Sequence, residues 1–426
     1  MGLKYIILFF IIINGIINKP KEKNSEFITW SITNNIKFHA LIEISKHNGT
    51  KKIKVKTDIK EKEQLLTIPY DFTFGVTKFL DMLGSKKLRE QYDLFKNMNI
   101  SVYKSRDPKL EKEKIFLSYL LYLIQHEQEK YNRTEFYKKY DQYIKALKDY
   151  IPNRSSLFFT QDQLEYLSGS YLGRMTNKVK QLFQEEIAIF KNKTFYNKDI
   201  DYTEYTYNRL FIENKGLEIL GHVRLIPLFN YLDGDHWKYN AKMQIENNGD
   251  IKIMTSRNIH KNKPIFVEMP KKKYIERIIF GGKLNPIISD KSEDYIIPTF
   301  SPGLYYKYDI SDIELYNTYF INFADFNYDS IAINLYKKYK TFFKDYYEKE
   351  SWAYGILLEN IEFYLKSIKI LFKNEKINDI FENEDDRMLV QKTMNGELKG
   401  LRKQIKYIKK KYEDLKKLEN INGSDL

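Results

Sequence analysis

The chain contains no cysteine. That excludes disulfide bonds and every zinc cluster built on thiolates. Its six histidines (His39, His47, His126, His222, His236 and His260) are scattered, with no HExxH spacing. Each reads as a surface or core residue, so no metal is expected. Glycine-rich catalytic loops are missing too. There is no GxGxxG, no GxxxxGK[ST] and no GxSxG. The usual signatures of dinucleotide binding, nucleotide hydrolysis and serine-elbow catalysis are therefore absent. No linker is Gly/Ser-rich and no fixed-period repeat is evident, so neither a flexible tether nor a solenoid is expected. The final residues, Gly423-Ser424-Asp425-Leu426, are not an xDEL retention signal.

What is present is enough for a sizeable core. A length of 426 residues allows two or three domains, and 42% hydrophobic residues suit a globular protein. The formal net charge is +14. That charge could mark a basic face for nucleic acid, acidic lipid or an acidic partner. The acidic residues are interleaved almost throughout, which favours a general compositional bias instead. No aromatic-basic motif stands behind a nucleic-acid-binding module.

The N-terminus carries a signal of its own. Lys4 precedes the apolar run Tyr5 to Ile13, followed by Asn14, Gly15 and then Asn18-Lys19-Pro20. This pattern suits a secretory signal peptide over residues 1–18 and hence the secretory pathway or secretion. A signal anchor reaching Ile17 would instead hold the protein at a membrane. A buried N-terminal strand in a cytoplasmic protein is the plain alternative. Sequons at Asn48, Asn99, Asn132, Asn153, Asn192 and Asn422 add little in so Asn-rich a chain.

Strand and helix patterns alternate in blocks. Residues 27–80 read as short strands: Phe27 to Trp30, Phe38 to Ile44, Lys51 to Lys56 and Leu65 to Pro69. Residues 81–197 turn helical, with candidates at Lys112 to Glu129, Thr134 to Leu147 and Gln161 to Ile189. Asp162 and Ser168 are the expected local caps there. Residues 201–282 return to strand-like segments, with Ile251 to Met254 and Pro264 to Met269 among them. Asn248-Gly249-Asp250 is a hairpin turn signal. After Pro302-Gly303 the pattern is helical, over Ile313 to Phe320, Ser330 to Tyr347, Ser351 to Phe372 and Asp385 to Leu418. The last carries Leu389, Met394, Leu398, Leu401, Ile405 and Ile408 near heptad spacing, as a docking face or, more plainly, the buried side of a bundle helix. A strand block split by helices and reunited in space is expected.

This order resembles the Rubisco large-subunit methyltransferase type of SET-domain protein, which includes the actin-histidine methyltransferase branch. Trp30 matches the tryptophan that opens that family. Thr57-Asp58-Ile59 with Glu63 to Pro69 resembles its "rDI…ge.ll.iP" strand pair. Phe116 to Tyr122, Phe136 to Tyr143 and Ile151-Pro152 are similar to the motifs of its insert, and Leu164 to Leu172 to its "L..L.GT.L". Asn208-Arg209 stands at its Ser/Thr-Arg, Leu225 to Leu228 at its "LiPl", and Asp386-Arg387 to Arg402 in its long final helix. The resemblance implies an α+β fold: a SET-type β-fold interrupted by a helical insert and followed by an all-α domain like the family's substrate-binding domain. The parts would be residues 27–80 and 201–282 for SET, 81–200 for the insert and 283–426 for the helical domain.

The family transfers a methyl group from S-adenosylmethionine to a nitrogen of a protein substrate, chiefly by positioning and electrostatics. The family's Gly-x-Gly would fall on Thr50 and Lys52, with only Gly49 nearby. A lysine where backbone must approach a ligand adds bulk and charge. Arg209 matches the cofactor-binding arginine, and a guanidinium can hold a carboxylate bidentately; a surface arginine is the plain alternative. The Asn-His motif falls in register on Asp233 and Gly234, which is also a good turn pair. An ionised aspartate accepts but cannot donate. A shift to Asp235-His236 would restore only a histidine. The catalytic tyrosine falls on Met269, or on Glu268 when counted back from Phe280-Gly281. Neither is a phenol. Tyr274 lies five residues past Met269, and Phe280 keeps a ring without a hydroxyl. The expected protein is thus a SET-type pseudoenzyme with lost or reduced activity that binds a protein partner. The alternative is an active protein-lysine N-methyltransferase with atypical residues. S-adenosylmethionine is the cofactor only if it is active.

Overall fold

The main sheet draws its strands from both sides of the helical insert. The computed structural model describes residues 30–47, 50–100, 107–148, 155–196, 198–226, 228–229, 231–234, 239–268, 279–280, 351–373 and 377–423. These fall in two compact units. The first takes in residues 1–151 and 207–271, the second 152–206 and 272–426. The segment expected as one insert is therefore shared between the two. The N-terminal apolar run, Gly49, Asp235-His236, Met269, Tyr274 and the helices expected at 313–320 and 330–347 lie outside the described residues.

In the first unit the strands are β1 (Lys37–Phe38), β2 (Ile42–His47), β3 (Thr50–Val55), β4 (Gln64–Ile68), β5 (Gly216–Ile219), β6 (His222–Leu225), β7 (Asp233–Gly234), β8 (Ala241–Ile245), β9 (Ile251–Thr255) and β10 (Phe266–Val267). Six of them form a sheet in the order β1-β4-β9-β8-β10-β7. The joint between the halves is the antiparallel pair of β4 and β9, with Ile68 opposite Ile251. Leu65, Leu66, Ile68, Ile251 and Ile253 are all fully buried, so burial of apolar side chains holds this long-range pairing. The β8–β9 hairpin is closed by Asn248-Gly249-Asp250, as the sequence predicts. Gly249 sits at φ 84°, where only glycine is at ease, and a Cβ there would also meet the Tyr70 ring at 2.5 Å. Hairpins β2–β3 and β5–β6 stand as separate two-stranded sheets.

Longer helices pack in this unit among the described residues. They are α1 (Val76–Leu83), α2 (Lys86–Asn97), α3 (Pro108–His126) and α4 (Glu135–Lys148). Asp107 caps α3 through the Lys109 and Leu110 N–H groups, with Pro108 in the first turn. Residues Ile115 to Ile124 of α3 are buried without a break, so this helix lies inside the core rather than on it. Helix α4 brings Phe136, Tyr140 and Tyr143 around Phe74, with ring centroids 5.1, 4.9 and 5.5 Å away.

The second unit contains α5 (Gln161–Tyr166), α6 (Tyr171–Lys191), α8 (Ser351–Lys373) and α9 (Glu384–Gly423). Helix α7 (Tyr202–Lys215) carries the chain from this unit into the first. Two expectations are corrected here. The caps are Thr160, in a capping box with Gln163, and Ser170, whose hydroxyl accepts from Gly173 at 3.0 Å. Asp162 lies inside α5, and Ser168 lies in the break between α5 and α6. Residues 202–215 form a helix, not a strand-like segment. Arg209 and Glu213, one turn apart, close an ion pair along it. The heptad stripe of α9 is buried at Leu389, Met394, Leu398, Leu401 and Ile408. Helix α8 answers with Tyr354, Ile361 and Ile368 at the same seven-residue spacing.

Candidate functional site

Three of the segments singled out in the sequence meet in the first unit. Strand β10 lies parallel to β7, with Phe266 opposite Asp233 and Val267 opposite Gly234. On its other side β10 pairs with β8 at Val267 and Ala241, and the Glu268 N–H donates to the Ala241 carbonyl at 2.9 Å. Strand β3 joins the same place. The Ile53 N–H donates to the Tyr231 carbonyl at 3.0 Å, and the Ile53 carbonyl accepts from Ile265 at 2.9 Å. The expected glycine-turn, Asn-His and tyrosine segments are therefore neighbours.

Each segment, however, keeps an ordinary backbone role. Thr50 to Val55 is a regular strand, paired residue by residue with β2 from Thr50 opposite His47 to Val55 opposite Ile42. Lys52 sits opposite Ser45 in that ladder. Asp233 and Gly234 form the edge strand β7 rather than a free turn. Glu268 is 39% exposed, and its carboxylate lies 3.8 Å from the Lys242 ammonium. It is a solvent-screened surface pair, not an acid held in a dry channel. Phe280 is buried in the second unit.

A residue that no sequence motif marked organises this junction. Asn240 is buried, and both ends of its carboxamide are hydrogen-bonded. Its Oδ1 accepts from the Phe266 N–H at 2.8 Å, and its Nδ2 donates to the Pro264 carbonyl at 3.0 Å. Its own N–H donates to the Phe266 carbonyl at 2.9 Å. The side chain thus supplies the ladder contacts that β10 lacks beside a proline.

Arg209 is in a different environment from either sequence reading. Only 1% of it is exposed, which removes the surface alternative. Its Nη1 lies 2.5 Å from the Glu213 carboxylate, and its Nη2 is bonded to the Glu111 carboxylate on α3. Lys114 completes the cluster, 3.5 Å from Glu111 and 3.3 Å from Glu213. Two cations and two carboxylates neutralise one another, as groups so far from water must. Beside it Glu113 accepts from the Val223 N–H and pairs with His222 Nδ1, each at 2.8 Å, tying α3 to β6. Among the described residues no group of histidines and carboxylates is arranged to hold a metal ion. No helix there is long and apolar enough to cross a membrane.

Comparison with known proteins gives a likeness of fold. A structure described as the SET domain of LSMT bound to lysine and AdoHcy superposes with a TM-score of 0.56 over 93% of each chain, at 12% identity. Rubisco LSMT bound to AdoMet gives the same values. Rubisco LSMT bound to sinefungin and monomethyllysine gives a TM-score of 0.54 over 92% of each chain, again at 12% identity. No family model matches the chain, and no curated protein matches it either. The fold is therefore SET-like along nearly the whole length, while the sequence shares little with these structures.

Proposed function

From that SET-like fold, we propose that this chain is a pseudoenzyme that binds a protein partner, with methyl transfer lost or reduced. The observation that carries the reading is Arg209. The residue at the family's cofactor-anchoring position has both guanidinium arms committed to Glu111 and Glu213. A methionyl carboxylate arriving there would compete with two buried carboxylates and add a third negative charge. The residue types at the other positions support the same reading. Asp233 and Gly234 offer no side-chain carboxamide donor in place of Asn-His, and the described candidate for the tyrosine position, Glu268, offers a carboxylate. The partner would be a protein held through the groove or the helical domain. No metal enters, and a nucleic acid has no motif to recognise it.

A second reading is an active protein N-methyltransferase using S-adenosylmethionine on lysine or histidine. It is favoured by the similar structures, which are described with AdoMet, AdoHcy, lysine or monomethyllysine. Calorimetric titration of the whole chain with S-adenosylmethionine separates the two. No heat of binding is expected up to millimolar cofactor; saturable micromolar binding would overturn the pseudoenzyme reading. Entry into the secretory pathway, by cleavage near residue 18 or as an anchor, belongs to this proposal too. Sequencing the N-terminus of the mature protein tests it, and an intact Met1 on a soluble product would end it.

A further inference from the structure

Six sequons stand in the sequence, and two of them lie wholly among the described residues. The two are built differently. Asn132-Arg133-Thr134 leads into α4. There the Thr134 hydroxyl accepts from the Tyr137 N–H at 3.3 Å and donates to the Tyr131 carbonyl at 2.6 Å. It is spent on starting the helix, and neither bond involves Asn132.

Asn192-Lys193-Thr194 stands in the second unit, at the end of α6. Here the sequon closes on itself. The Asn192 Oδ1 accepts from the Thr194 N–H at 3.1 Å and, in a longer contact, from the Thr194 hydroxyl at 3.4 Å. The Asn192 Nδ2 makes no hydrogen bond among the described residues. The turn is also held from beneath. The Phe195 N–H donates to the Asn192 carbonyl at 2.9 Å, and the Tyr196 N–H to the Phe190 carbonyl at 3.0 Å. The Phe195 ring is buried, 5.6 Å from the Phe190 ring on α6. Lys191, Asn192, Lys193 and Thr194 are all exposed. A buried aromatic thus anchors the loop while every residue of the sequon meets water.

We propose that Asn192 is the attachment point of an N-linked glycan. This role rests on entry into the secretory pathway. It does not depend on whether the chain transfers methyl groups. The sugar donor is an oligosaccharide carried on a lipid pyrophosphate. A bond forms between Asn192 Nδ2 and the anomeric carbon as the bond from that carbon to the pyrophosphate oxygen breaks. One Nδ2 proton passes to a base of the transferring enzyme, and the lipid pyrophosphate leaves. Only Nδ2 is consumed, so Oδ1 still accepts from Thr194 and the turn survives the modification. The sugar enters water and displaces no partner of the fold.

The test is expression of the full chain in a eukaryotic cell host. The product is treated with peptide-N-glycosidase in heavy-oxygen water and mapped by mass spectrometry. Its N-terminus is sequenced from the same preparation. Heavy-oxygen aspartate at position 192 is expected, lost in Thr194→Ala and kept in Thr194→Ser, which restores the hydroxyl. Thr194 is exposed, so neither variant threatens the core. Label that persists in Thr194→Ala, or that forms without the glycosidase, is chance deamidation and overturns the site. An unlabelled Asn192 on a chain whose N-terminus has been cleaved also overturns it, and leaves the secretory reading standing. An intact Met1 on a soluble, unlabelled product overturns both.

Discussion

Arg209 and Asn240 illustrate how differently single residues reveal themselves. The i,i+4 partner of Arg209, Glu213, is near it in the chain, but Glu111 lies on a helix remote along it. Only folding brings the second carboxylate, and the second carboxylate is what accounts for the arginine's burial. Arg209→Met keeps the stem's volume and removes the guanidinium from two buried carboxylates. A loss of about 3–5 kcal/mol in urea unfolding is expected. An unchanged midpoint would mean that the pair is worth little. Any cofactor test based on this arginine therefore needs a stability control. Asn240→Ala removes the side-chain bonds to the Phe266 N–H and the Pro264 carbonyl, and should cost about 1–3 kcal/mol. The same unfolding measurement checks it, and hydrogen exchange should quicken first at Phe266.

Local chemistry made some elements legible, and long-range packing decided others. The β8–β9 hairpin was readable because Asn-Gly-Asp is a turn in its own right, whatever surrounds it. The start of α7 was not, because residues 202–215 mix aromatic, polar and apolar types without a clean period of either kind. Burial of Tyr205, Leu210, Phe211 and Ile212 against the rest of the protein settles that segment as helix. Helix α9 shows both sides. Its apolar heptad positions were visible, yet Glu397 and Gln404 continue the same stripe, fully buried. Neither polar end of Gln404 has a hydrogen-bond partner. Gln404→Leu removes two desolvated polar atoms at similar volume. It should raise the urea midpoint, by about 1 kcal/mol or more in stability; a fall would reveal a polar role for this position.

Across the whole molecule, buried tyrosines set how the protein meets alkali. Burial raises the Tyr140 phenol above its ordinary 10 and the Tyr143 phenol well above it, and pushes Tyr202 up to about 12. Above pH 10 the unfolded chain gives up these protons while the folded chain keeps them. The folded state then binds more protons, so stability falls as pH climbs from 10. Lys78 acts in the opposite sense between about 8 and 10.5, where the unfolded chain holds its proton and the folded one does not. Absorbance at 295 nm should show these three tyrosines ionising together with loss of far-ultraviolet circular dichroism. Ionisation of all tyrosines near pH 10 with the fold intact would contradict the burial.

By itself the sequence determined the order of the blocks, the β8–β9 turn, the cores of the long helices and the SET-like plan. Those depend on periodicity and turn chemistry, which act between residues close in the chain. It also determined what cannot be present, since a chain without cysteine has no thiolate to offer. The tertiary structure decided the rest. It joined β4 to β9, set β3, β7 and β10 side by side, and clamped β10 with Asn240. It enclosed Arg209 between two carboxylates and laid Arg224 over the Tyr70 ring. Each of these depends on a partner far away in sequence, and the energy of a charge or a polar group depends on its surroundings in space.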